Sequence, residues 1–199
     1  MKSKIVINSI GIIFLIFGIA AIINTILNIE KRFAPILWLS YICLILLAIG
    51  VLRKDSSLIA SQITIIGIPY LLWNIDFFYQ LITKSSLLGI TDYLFKSVPI
   101  TDKIISLQHI FNLPLSLIAL HLIKLKRTDF WIISITQITI VFIISRLTTT
   151  YKENVNCVYH NCANFSFGLP YILEWFLAYL IMITLTSYLI KKIFYKKIK

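Results

Sequence analysis

Six long apolar stretches dominate this chain of 199 residues and constrain its fold more than any other feature. A helix needs about 20 mainly apolar residues to cross the roughly 30 Å hydrocarbon core of a bilayer. Charged or turn-rich gaps separate six segments of about that length, at residues 5–27, 36–52, 58–75, 104–123, 130–147 and 169–190. Because the backbone in lipid must hydrogen-bond within its own segment, each stretch is predicted to be helical. The sequence predicts a single all-α domain, a polytopic integral membrane protein with six transmembrane helices.

Composition separates this chain from soluble proteins. Hydrophobic residues make up 59% of it and charged residues 14%, whereas soluble domains average roughly 45–50% apolar and about 25% charged. A soluble domain of this length could not bury so much apolar surface. The composition also excludes a disordered chain and a secreted scaffold held together by disulfides.

The basic residues predict the orientation of the helices. Lys and Arg number 19 against 8 Asp and Glu, a net charge of +11. With six spans, both termini lie on one side, and that side carries twelve of the 19 basic residues, namely Lys2, Lys4, Arg53, Lys54, Lys124, Lys126, Arg127, Lys191, Lys192, Lys196, Lys197 and Lys199. Basic residues accumulate on the cytoplasmic side of membrane proteins. The termini are therefore predicted to be cytoplasmic, in a plasma (inner) membrane or an endomembrane, and no nucleic-acid partner is needed to explain the charge.

The segment between the third and fourth spans is predicted to lie at the membrane interface. Residues 76–103 mix aromatic, apolar and polar side chains and contain Gly89 and Pro99. This pattern is too interrupted for a further span and indicates an interfacial or re-entrant segment over the outer mouth of the bundle.

Polar side chains inside the spans are the candidates for function, because each is costly in lipid. The predicted topology brings them to the outer third of the membrane. Ser40 and Cys43 lie on the second helix, and Gln108, His109 and Asn112 share a broad face of the fourth. Ionisable side chains near the same depth could support a substrate or line a polar path, and they are Asp76, Arg146 and Glu174.

The cysteines and histidines predict a disulfide and no metal site. His109 and His121 are twelve residues apart on one helix, about 18 Å, so they cannot share an ion. His160 lies between Cys157 and Cys162, but no fourth ligand is evident. A disulfide between these two cysteines is expected, since the orientation places their loop in an oxidising compartment. No cofactor is predicted.

The run from His109 to Pro114, His-Ile-Phe-Asn-Leu-Pro, resembles the entry to the fourth helix in the androgen-induced family of six-span intramembrane hydrolases. Residues 154–159, Asn-Val-Asn-Cys-Val-Tyr, are similar to a motif in a related group of bacterial and eukaryotic six-span proteins, some of them acyltransferases. The first family cleaves fatty-acid esters with a membrane Thr and a His. The resemblance implies a catalytic role for His109, whereas this chain has no Thr near the start of its second helix.

Three functions are compatible with these patterns. The first is hydrolysis or transfer of acyl groups of lipid esters, with His109 as the base and Ser40, or alternatively Cys43, as the nucleophile. Gln108 and Asn112 would orient the base or stabilise an oxyanion, and the substrate would arrive from the membrane lipid. The second is a small transporter or channel with a path lined by Asp76, His109, Arg146 and Glu174. The third is a scaffold or accessory subunit whose polar groups join helices to one another. The oligomeric state is not predicted.

Overall fold

The computed structural model describes residues 2–27, 34–162, 166 and 168–195, and these form an all-α protein. Seven α-helices follow one another along this part of the chain: α1 Lys2–Leu27, α2 Leu39–Leu52, α3 Ser56–Thr83, α4 Ile100–Ser106, α5 Gln108–Ile123, α6 Phe130–Thr148 and α7 Tyr171–Phe194. Short 3-10 helices occupy Ala34–Leu37, Asp92–Phe95 and Val155–Cys157. No strand is present in the described ranges, so the all-α prediction is confirmed. Lys196, Lys197 and Lys199, which the sequence predicts on the cytoplasmic side, lie outside those ranges.

Five helical segments are long and apolar enough to cross a membrane. They are α1, α3, α6, α7 and the stretch 100–123 that contains α4 and α5. The sixth, α2, has 14 residues, or about 21 Å at 1.5 Å per residue. This set of helices is typical of an integral membrane protein.

Several helix boundaries differ from the sequence prediction. The third span, expected to end at residue 75, continues to Thr83, where Lys84 adopts a left-handed conformation (φ 60°) and its N–H bonds to Gln80 O. The predicted span ends before the charged residue Asp76, but its carboxylate is buried and accepts hydrogen bonds from the following loop, so the helix continues past it. The fourth span is two helices that meet at Leu107. The segment between the third and fourth spans is therefore shorter than expected, from Lys84 to Pro99.

Helix α3 lies at the centre of the bundle and packs against α2, α5, α6 and α7. Its contact with α7 is close, since a Cβ on Gly67 would lie 3.2 Å from Thr186 Cγ2. Helix α1 packs mainly on α2, where a Cβ on Gly18 would come within 2.6 Å of Ile45 Cδ1. Small residues let the helix backbones approach, which is the usual basis of helix packing in membranes.

A buried polar network joins α3 to α6. The side-chain amides of Gln62 and Gln137 exchange two hydrogen bonds, of 2.8 and 3.0 Å. The hydroxyls of Thr64 and Ser134 lie 2.6 Å apart. These groups satisfy one another across the interface, so they join the two helices.

Candidate functional site

The predicted site residue His109 lies in the first turn of α5 and packs against α3. Its ring stacks on Trp73 at a centroid distance of 4.7 Å and an interplanar angle of 15°. Its other neighbour is Tyr70, 4.5 Å away between ring centroids. Asn74 Nδ2 donates to the backbone carbonyl of His109 at 2.9 Å. Helix α3 thus fixes both the ring and the backbone of this residue.

The hydrogen bond of the His109 ring determines its tautomer. Nδ1 lies 2.7 Å from the carbonyl oxygen of Ser106. A carbonyl can only accept, so Nδ1 carries the proton and donates it. In the neutral imidazole Nε2 then holds the lone pair, and it is the nitrogen that could accept a proton or a hydrogen bond. The ring is half-buried.

Gln108 and Asn112 form an incompletely satisfied amide pair beside His109. Both side chains are fully buried, and Asn112 Nδ2 donates to Gln108 Oε1 at 2.6 Å. Gln108 Nε2 and Asn112 Oδ1 have no partner. Exchanging the nitrogen and oxygen positions of both amides would reverse the bond and again leave one donor and one acceptor unpaired. Within this pair of amides, one donor and one acceptor are therefore unpaired in either arrangement.

On α3, the hydroxyl of Tyr70 is a further buried polar group without a well-formed hydrogen bond. It lies beside the Asn112 amide. Most buried polar side-chain atoms have a well-formed hydrogen bond, so three atoms without one on two facing helices are an unusual concentration. We refer to Tyr70, Gln108, His109 and Asn112 as the outer polar cluster, after the side of the membrane predicted for the last three residues.

The two proposed nucleophiles make no hydrogen bond to His109 within the described part of the chain. Ser40 is half-buried in the first turn of α2. Cys43 is fully buried, and its Sγ accepts from Gln137 Nε2 at 3.6 Å, on the side of α6. The pairing of either residue with His109 stays a prediction.

Asp76 is enclosed by the loop that follows α3. Its fully buried carboxylate accepts from the N–H groups of Leu88 at 2.6 Å and Leu87 at 3.3 Å. The other oxygen accepts from the N–H and the hydroxyl of Thr91, at 2.7 and 2.8 Å. All four donors come from one loop, so this carboxylate anchors the segment between α3 and α4.

Arg146 and Glu174 also hold loop structure. The Arg146 guanidinium donates to Val158 O and lies 4.6 Å from the centroid of the Tyr159 ring. Glu174 is buried and accepts from Asn161 Nδ2 at 3.4 Å and Ser166 Oγ at 3.2 Å. Both residues thus attach the loop before α7 to the helices. The structure places them in contacts separate from those of His109.

Asn156 organises the same loop and has no counterpart among the predicted site residues. Its Oδ1 accepts from Leu39 N–H at 2.7 Å, which caps α2. Its Nδ2 donates to Leu37 O at 2.8 Å and to Ser145 Oγ at 3.0 Å. Trp175 Nε1 donates to its backbone carbonyl at 3.0 Å. A single side chain and its carbonyl therefore join α2, α6 and α7.

The cysteines and histidines near this loop show how it is closed. Cys157 and Cys162 are joined by a disulfide with a Cα–Cα distance of 5.7 Å. The His160 ring packs on Tyr151 at 4.7 Å between centroids. Across the described ranges, no group of three His, Cys, Asp or Glu side chains is arranged to hold a metal ion.

The sequence predicts His109, Gln108 and Asn112 as site residues, but it does not predict the contacts of Tyr70 and Asn156. Tyr70 follows Pro69 inside an apolar helix and resembles an ordinary packing residue. One available signal was its spacing of four residues from Asn74, which places both on one face of α3. Comparison of the chain with protein families, curated proteins and solved structures finds no match.

Proposed function

We propose that this chain is an integral membrane protein whose outer polar cluster binds the neutral polar group of a membrane-soluble molecule. The observation that carries the proposal is the set of unpaired buried atoms on α3 and α5, Tyr70 Oη, Gln108 Nε2 and Asn112 Oδ1. An unpaired buried donor or acceptor costs about 1–3 kcal/mol. A ligand that supplies the missing partners would recover that free energy.

The chemistry of these atoms favours an ester, hydroxyl or protonated acid. The unpaired groups are a hydroxyl, an amide N–H and an amide oxygen, none of which carries a charge. Exposed apolar side chains on α3 and α4 include Leu71, Ile75 and Ile104, which supports an approach from lipid. His109 is the member of the cluster nearest the surface, and the ligand group would enter past its ring.

The topology that goes with this proposal has six spans and cytoplasmic termini. The end of the bundle where α1 begins and α7 ends carries basic residues on several segments, including Lys4, Lys54, Lys126 and Lys192. The positive-inside rule supports a cytoplasmic location for that end. The opposite end, with the segment from Lys84 to Pro99 and the disulfide, would then face the outside, and that segment would lie at the interface.

Photolabelling tests the binding proposal. A monoacylglycerol carrying a diazirine in its head group is added to the purified protein, which is irradiated, digested and analysed by mass spectrometry. We expect labelled peptides around Tyr70–Phe77 and Leu107–Asn112, and suppression of that label by excess unlabelled monoacylglycerol. Label spread over the exposed faces of α1, α6 and α7 and indifferent to the competitor would exclude the site.

Acyl hydrolysis is a second candidate function at the same cluster. The observation in its favour is the Nδ1–H bond to Ser106 O, because it leaves Nε2 of a neutral His109 as a base. Ser40 is the proposed nucleophile, with Cys43 as the alternative, and a rearrangement of α2 against α5 would have to bring it to Nε2.

A serine-reactive lipid fluorophosphonate separates hydrolysis from binding. Hydrolysis predicts covalent labelling that falls at least about 100-fold in Ser40→Ala and in His109→Ala, as is usual when a nucleophile or its base is removed. The matched controls Ser97→Ala and His121→Ala change exposed residues away from the cluster, and they should label like the wild type. Labelling that persists in both site variants would exclude the Ser40 mechanism while leaving the binding proposal open.

A further inference from the structure

We propose that a groove at the basic end of the bundle binds the phosphate group of an anionic membrane lipid. This basic groove is lined by three lysines, Lys4, Lys54 and Lys126, together with Ser3, Ile7, Leu122 and Ile123. It rests on the membrane embedding proposed above, but it is independent of the outer polar cluster, which lies at the other end of α5.

Three separate parts of the chain bring the lysines together. Lys4 is in the first turn of α1, Lys54 is in the turn between α2 and α3, and Lys126 is in the link from α5 to α6. The Lys126 N–H donates to Ser56 Oγ at 3.2 Å, which fixes that link against the start of α3. The groove is therefore a product of the tertiary fold, since no sequence motif contains these residues.

No ion pair in the described part of the chain involves the lysines of the groove. All three are exposed, and none lies within salt-bridge distance of a described carboxylate. Two acidic residues on the adjoining segments have partners of their own. Asp55 accepts the N–H groups of Ser57 and Leu58 at the start of α3, and Asp129 pairs with Arg127 at 2.5 Å. Three ammonium groups around one depression attract an anion such as a phosphate.

The apolar face of α1 beside the groove favours a lipid over a soluble phosphate compound. The groove itself is mainly polar, and Ile7 is buried beneath it. An exposed apolar face of α1 begins next to Lys4, with Ile5, Ile12 and Ile16 at 61%, 50% and 60% exposure. A lipid with its phosphate on the lysines could lay its chains along this face.

Native mass spectrometry of the full chain in detergent tests the groove. Phosphatidylglycerol or phosphatidylcholine is added, and the lipid that stays bound is counted. Each lysine near a lipid surface contributes about 1 kcal/mol, so replacing all three is expected to weaken phosphatidylglycerol binding on the order of 100-fold. The groove variant is Lys4→Gln/Lys54→Gln/Lys126→Gln. Phosphatidylcholine binding should change far less.

The matched control removes the same charge from the same end of the bundle. It is Arg53→Gln/Lys191→Gln/Lys192→Gln, which changes cations outside the groove and should retain phosphatidylglycerol. An equal loss of phosphatidylglycerol binding in both variants would mean that only net charge matters, and it would overturn the proposal. Unchanged binding in the groove variant would also overturn it.

Inorganic phosphate is expected not to displace the lipid. Displacement by millimolar phosphate would assign the groove to a free anion instead. Photolabelling of the outer polar cluster by monoacylglycerol should be the same in all these variants, so the two proposals can fail separately.

Discussion

Replacing Asn156 by Ala is expected to lower the free energy of unfolding by about 3–5 kcal/mol, because it leaves buried backbone groups unpaired and removes a helix cap. The lost partners are Leu39 N–H, Leu37 O and Ser145 Oγ. Asn156 also has a left-handed backbone conformation (φ 56°), which Asn adopts more easily than Ala. Chemical unfolding of the purified protein in detergent micelles measures the effect.

Two further variants separate the contributions to this loss. Asn156→Gly removes the same hydrogen bonds but suits the positive φ, so it should be more stable than Asn156→Ala by about 1 kcal/mol. Asn8→Ala changes an exposed Asn on α1 and should shift stability by no more than about 0.5 kcal/mol. If Asn156→Ala unfolds at the same denaturant concentration as Asn8→Ala, the loop before α7 does not hold α2, α6 and α7 together.

Asp76→Asn is expected to release the loop between α3 and α4. The Asn amide has one oxygen and one NH2 group, whereas both carboxylate oxygens of Asp76 accept hydrogen bonds. The NH2 group would therefore face N–H donors in a buried site. We expect a loss of about 2–4 kcal/mol in unfolding free energy. Hydrogen exchange at the amides of Leu88 and Thr91 should become at least about 10-fold faster, because their acceptor is lost or weakened.

The control for Asp76 is Asp129→Asn at the other end of the bundle. Asp129 is paired with Arg127 on the surface, and exposed pairs contribute about 0–1 kcal/mol. Its substitution should leave exchange at Leu88 and Thr91 unchanged. Slow exchange at these two amides in Asp76→Asn would mean that the loop is held by contacts other than the carboxylate.

Hydropathy was sufficient to predict the helices but not where some of them end. The lengths of α1, α6 and α7 agree closely with apolar segments bounded by charges or turns. The extension of α3 to Thr83 was missed, because its last two turns carry aromatic and polar residues that suit an interface as well as a helix. The division at Leu107 was also missed, since no Pro or Gly marks it in the sequence.

The candidate site was predictable where its members share one helix. Gln108 and Asn112 are four residues apart, so helical geometry alone places them together, and the structure shows their bond. Contact partners on other helices could not be predicted from the sequence. Nothing local indicates that Tyr70 faces His109, or that Cys43 contacts Gln137 on α6.

The ionisable residues illustrate a second limit. The sequence predicts a functional role for Asp76 and Arg146 because a charge at membrane depth is costly. The structure shows a contact that the sequence does not indicate, since both residues hold loops that fold back on the helix ends. The backbone of these loops turns at residues with positive φ angles, namely Lys84, Asn154 and Asn156. Tertiary contacts set these angles, and hydropathy does not indicate them.

We propose that the amides of Gln108 and Asn112 serve a ligand and do not stabilise the fold. The most direct test is the unfolding free energy of Gln108→Met/Asn112→Leu, measured in detergent with and without monoacylglycerol. Because unpaired buried polar atoms are replaced by apolar groups of similar volume, the variant should match or exceed wild-type stability, by up to about 3 kcal/mol. Monoacylglycerol should stabilise the wild type and leave the variant unchanged. A variant that is less stable than the wild type, or that gains equally from the ligand, would contradict the claim.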